Sequence, residues 1–150
     1  MNRLSVATIQ NALGATLLVA AIGKTGHFDS AFSEVSSIIG SDLISLVLLS
    51  TLIASEFVVG IATILNVCEK TTPILLATLY GLFLAFAVYL RVVDPTGLLH
   101  PSCSCIGIGV IDDRRRFADV LLVRNLLFFG CAVVSARAKF VNMLGVAEKD

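Results

Sequence analysis

Residues 43–67 read LISLVLLSTLIASEFVVGIATILNV, with a single charged side chain, Glu56, near the middle. A helix needs roughly 20 mostly apolar residues to cross the hydrocarbon of a bilayer. Lipid offers no partner to a bare backbone, so an isolated segment that crosses it must be helical. Three comparable stretches lie around this one, at residues 4–23, 73–90 and 117–136. The chain is 57% hydrophobic and 15% charged, with a mean hydropathy of +0.93. A soluble domain is nearer a quarter charged, so the composition points to a membrane protein. The expected fold is all-α: one four-helix transmembrane bundle over residues 1–150, with connections at 24–42, 68–72 and 91–116. Four crossings put both termini on the same side. No soluble domain, internal repeat or low-complexity linker is visible.

The first stretch has some features of a signal peptide, with Arg3 ahead of an apolar run. That run is long for a signal core and Gln10-Asn11 interrupts it, so it is expected to stay as a membrane span. The formal net charge is zero, so nothing favours nucleic acid as a partner. Arg114-Arg115-Arg116 and Arg137/Lys139 abut apolar runs and read as membrane-edge charges.

Working outward, residues 100–109 read His-Pro-Ser-Cys-Ser-Cys-Ile-Gly-Ile-Gly. Two thiols one residue apart sit in a long polar connection between spans, and long connections are commonly functional. Three chemistries fit. A Cys103–Cys105 disulfide closes a tight ring, and strained disulfides are the more reducible ones, as suits thiol–disulfide exchange. Alternatively His100, Cys103 and Cys105 hold a soft metal, copper or zinc, although the spacing is closer than the usual zinc pattern. Or the disulfide is a structural brace. Cys68 and Cys131 read as small apolar residues.

Loop charges do not orient the chain. Arg3, Lys70, Arg137, Lys139 and Lys149 fall on the side of the termini, and Lys24, Arg91, Arg114, Arg115 and Arg116 on the other, which is a tie. A dithiol is useful where the surroundings are oxidising. The Cys-Ser-Cys loop is therefore expected outside the cytoplasm, with both termini inside.

That topology gathers polar residues at one depth. Lys24 and His27 close the first span, and Arg91 closes the third. Arg124 lies seven residues into the fourth, about 10 Å along a helix. Nearby cations favour a thiolate; the rival role for Lys24 and Arg91 is to anchor at the interface. Glu56 and Arg124 lie inside apolar runs, where a charge must be paired or wet. A Glu56–Arg124 pair is one expectation, as a structural pin, a proton relay or a quinone-headgroup site. Gly60, four residues after Glu56, shares its face and permits close helix approach. His27 and His100 are candidate proton carriers.

Four elements carry a family resemblance: Gly23-Lys24, Glu56 with Gly60, Cys103-Ser-Cys105-Ile-Gly107, and Arg124-Asn125. In that order they resemble the MauE branch of the DoxX-like membrane proteins over about residues 10–136. Ile106 stands where the family's element has an aromatic residue, which leaves the thiols unaffected. The resemblance implies a four-helix bundle with the thiol pair on the extracytoplasmic side. MauE-like proteins are accessory factors associated with maturation of methylamine dehydrogenase; the family is broad, so the resemblance implies an accessory role with a thioredoxin-like or exported partner and not methylamine metabolism specifically. Relatives are linked to thiosulfate oxidation and quinone reduction. Cys103 and Cys105 would be the redox pair, supported by Lys24, Glu56 and Arg124; His100 joins the supporting set only as a neighbour of the thiols.

The expectation is a multi-pass protein of the bacterial cytoplasmic membrane that exchanges disulfides, a possible oxidoreductase, with quinone as the one cofactor in view. The rivals are a non-enzymatic scaffold or assembly subunit of a larger membrane complex, and a soft-metal carrier. No nucleotide, flavin or haem motif is present; Gly107 and Gly109 follow no strand.

Overall fold

The computed structural model describes residues 3–67, 71–93 and 114–147. Among these residues there are five helices and no strand: α1 (Arg3–Gly26), α2 (Phe28–Ile39), α3 (Asp42–Ile64), α4 (Thr72–Val93) and α5 (Arg114–Ala147). Among the described residues, three segments are long and apolar enough to cross a membrane: Ser5–Gly26, Asp42–Ile64 and Thr72–Tyr89. The 117–136 stretch lies within α5, which runs on through Arg137 and Lys139.

The helices pack as two main pairs, α1 on α3 and α4 on α5, with α5 also against α1. Two glycines set the first pair. A Cβ on Gly60 would stand 2.9 Å from Leu18 and 3.0 Å from the Gly14 carbonyl oxygen. One on Gly14 would stand 3.0 Å from both the Gly60 carbonyl oxygen and the Thr63 Cβ. Without hydrophobic drive between helices in lipid, such small-residue contacts let backbones gain dispersion contact. Leu13, Leu17, Val59, Leu76, Leu79, Tyr80 and Ala132 form the main core where the pairs meet. Leu43, Val47, Val58, Leu82, Leu126 and Leu127 are exposed. An apolar exterior of that extent belongs in lipid.

The 24–42 connection departs from the expected loop, because most of it is α2. Phe28, Ala31, Phe32 and Val35 recur at helical spacing and cover Ala21, Leu49 and Ile53. Gly40 ends the helix in the left-handed region (φ 72°), its N–H donating to the Ser36 carbonyl at 2.8 Å. Glycine carries no steric penalty there. The Ser36 hydroxyl donates to Asp42, fastening α2 to the start of α3.

At the opposite end, Asn66 follows α3 at φ 51°, a conformation Asn tolerates better than most residues. Its side-chain carbonyl accepts from Lys139 Nζ at 2.8 Å, tying the far part of α5 to the α3–α4 turn. The Thr72 hydroxyl donates to the Val67 carbonyl across the same turn.

Candidate functional site

Lys24 sits near the C-terminal end of α1, where an interfacial anchor would turn outward. Its ammonium turns inward and forms an ion pair with the Glu56 carboxylate of α3. Lys24 is 5% exposed and Glu56 0%. The ring of Phe83 lies 5.5 Å from the ammonium, within cation–π range. The expected Glu56–Arg124 pair gives way to Glu56–Lys24. The reason is packing: the glycine contact seats α3 directly on α1, whereas α5 packs against α4 and α1.

Only one carboxylate oxygen of Glu56 is served by Lys24. The other, Oε2, is buried and has no hydrogen-bond partner among the described residues. Leaving a buried acceptor unmade costs about 1–3 kcal/mol, more for a charged group. Such an exception calls for an explanation, and a site is one.

Glu56 and Lys24 line a cavity of about 270 Å³ walled by α1, α4 and α5. Its polar atoms come from Thr16, Tyr80, Arg124 and Asn125, and its aromatic walls from Phe83, Phe86 and Phe128. The Tyr80 and Thr16 hydroxyls are 2.6 Å apart, and each reaches the Leu13 carbonyl, Tyr80 at 2.9 Å and Thr16 at 2.7 Å. Tyr80 meets Phe83 and Phe128 edge to face, at centroid separations of 6.1 and 5.5 Å. Such pairs fix ring positions.

Arg124 is held beside the cavity by its own neighbour. Nε and Nη2 donate to Asn125 Oδ1 at 3.3 and 3.2 Å, and Asn125 Nδ2 donates to the Phe83 carbonyl at 3.3 Å. The Arg-Asn dipeptide thus positions a guanidinium and braces α5 on α4. Chemically the cavity combines a cation with further donor capacity, a carboxylate with one oxygen unpartnered among the described residues, a phenol and apolar walls. That set suits a neutral ring with carbonyl oxygens, and it suits proton movement.

Of the residues singled out in the sequence, Lys24, Glu56 and Arg124 come together around this cavity. His100, Cys103 and Cys105 lie outside the described residues, as does Cys68. Chain order still relates three of them: His100, Cys103 and Cys105 fall between Val93 and Arg114, and Phe86 and Arg124 lie on the C-terminal half of α4 and the N-terminal half of α5. Cys131 is a free, exposed thiol on α5. His27 is exposed at the α1–α2 turn. The sequence reading missed Thr16, Tyr80 and Phe83. The usable signal for the first two was a hydroxyl inside an apolar run.

The family model described as methylamine utilisation protein MauE matches residues 2–138. No curated protein and no solved structure matches the chain. Apolar helices and family agree that this is a membrane protein. The matched span takes in every residue of the cavity and the Cys-Ser-Cys segment, and on it the chain belongs to the MauE family.

Proposed function

We propose that the chain is a redox accessory protein of the bacterial cytoplasmic membrane, set in methylamine utilisation by its family. In this reading α1, α3, α4 and the 117–136 stretch of α5 cross the bilayer as one four-helix unit. Both termini face the cytoplasm and the thiol loop faces outward.

Cys103 and Cys105 carry the exchange. A thiolate of an exported or thioredoxin-like partner attacks one sulfur of their disulfide, forming a mixed disulfide and releasing the other sulfur as thiolate. The partner's second thiolate resolves the mixed disulfide. The partner leaves oxidised, and the pair is left as a dithiol. A quinone held in the cavity would supply the oxidant, taking two electrons and two protons from the dithiol so that the Cys103–Cys105 disulfide re-forms. Arg124, which keeps donor hydrogens beyond those it gives to Asn125, would hold such a quinone at a carbonyl oxygen, and His100 and Glu56 move the protons, with Lys24 holding Glu56.

The observation that carries this reading is the cavity of about 270 Å³ lined by Glu56, whose buried Oε2 has no hydrogen-bond partner among the described residues. The test is differential alkylation of Cys103 and Cys105 in native membranes across a series of thiol buffers, with and without added short-chain quinone. Reversible titration, with reoxidation speeded by quinone and slowed in Glu56→Gln, is the expected result. A pair that stays oxidised under strong reductant would make it a brace and the protein a scaffold. Reversible titration that is indifferent to quinone would remove the quinone from the scheme.

A further inference from the structure

A second concavity lies on the other side of the α4–α5 pair, toward the α3–α4 turn. It is an open groove of about 640 Å³ that begins at Pro73 and reaches Gly81. Eight helical residues make it about 12 Å long, most of one leaflet in a hydrocarbon core of roughly 30 Å. Its floor is narrow and apolar. Ala77 and Gly81 come from α4, and Val133 from α5. Gly81 has no side chain to fill the channel, and a Cβ there would already press Phe129 at 3.2 Å.

The charge in this groove is all of one sign and at one end. Arg137 and Lys139 line it at its Pro73 end, and no carboxylate lines it among the described residues. Lys139 is oriented by donating to Asn66, a neutral acceptor, which leaves its remaining ammonium hydrogens for another ligand. Basic residues at a helix end that only snorkel spread into the headgroups. Here both border one apolar channel, about 12 Å long, that takes the headgroup-proximal part of an acyl chain.

We infer that the α4–α5 groove binds one anionic phospholipid, an acyl chain along Ala77, Gly81 and Val133 and the phosphodiester at Arg137 and Lys139. The occupant is set by complementarity: an apolar channel spanning most of one leaflet with two cations at its mouth fits a chain attached to an anion.

The test uses the full chain in a non-ionic detergent, with native mass spectrometry during titration by palmitoyl-oleoyl phosphatidylglycerol or by the matching phosphatidylcholine. The expected result is a single bound phosphatidylglycerol, preferred by about tenfold or more. R137Q/K139Q abolishes the preference. Thr78→Phe, on the exposed face of α4 bordering the groove, leaves both charges in place and weakens binding of either lipid by obstructing the channel. Equal binding of the two lipids by the native chain overturns the inference. So does a preference that survives in R137Q/K139Q, or binding that Thr78→Phe leaves unchanged.

Discussion

Lys24 and Glu56, 32 residues apart in sequence, form a buried ion pair that joins α1 to α3, and it serves only one of the two carboxylate oxygens. Removing one member of such a pair leaves an uncompensated charge in a low-dielectric interior. Lys24→Met is therefore expected to destabilise the bundle by about 3–5 kcal/mol, whereas Lys24→Met with Glu56→Leu falls within about 1 kcal/mol of the native protein. Thermal unfolding in mild detergent, run as a double-mutant cycle, measures this. Additive losses would show that the two side chains are not coupled.

The glycines of the bundle separate into two kinds. Gly60→Ala forces α3 away from α1 or displaces Leu18, and is expected to cost about 1–3 kcal/mol. Gly130 lies in the interior of α5 with nothing within 4 Å of an added Cβ. Gly130→Ala is expected to stabilise by about 0.5–1 kcal/mol, through lower backbone entropy in the unfolded chain. Equal effects from the two substitutions would contradict the glycine contact as the feature that seats α3.

Tyr80 joins α4 to α1 through the Thr16 hydroxyl and the Leu13 carbonyl. Tyr80→Phe keeps both edge-to-face ring contacts and loses only the hydroxyl, so a loss of about 1 kcal/mol is expected. In a Thr16→Val background the same change should cost less, since one partner is already gone. The readout is again the unfolding midpoint, and a Tyr80→Phe protein as stable as the native one would argue against this link.

For the thiols, Cys103→Ser and Cys105→Ser are each expected to abolish disulfide exchange with a reduced partner while membrane insertion is unchanged. Alkylation of the partner's cysteines reads the first, and carbonate-resistant membrane association the second. Exchange that persists in both single variants would end the proposed mechanism. Cys131→Ser, at the exposed free thiol of α5, is expected to leave exchange untouched and serves as the control.

Much of the architecture was legible because lipid is a demanding solvent. A run such as residues 43–67 has one economical conformation there, whatever its neighbours do. α2 was legible too, and was passed over: Phe28, Ala31, Phe32, Val35 and then Gly40 carry helical spacing and a stop. Its polar positions and its twelve residues set it apart from the spans of about twenty apolar residues. Glu56 and Arg124 stood out for the opposite reason, since a charge in an apolar run demands an explanation. Their partners did not. Arg124 turned out to be held by the adjacent Asn125, and Glu56 by a lysine that the chain order alone placed at an interface.

What the apolar runs by themselves determined is the all-helical character and the membrane setting, because unpaired backbone is intolerable in hydrocarbon and helices satisfy it locally. Which charge neutralises Glu56, and which rings and hydroxyls close the cavity around it, only the tertiary structure decided. Those contacts depend on how far α1 and α3 interpenetrate at Gly14 and Gly60 and on how α4 and α5 lean against them. Such distances follow from the packing of side chains far apart in sequence, which no local pattern encodes.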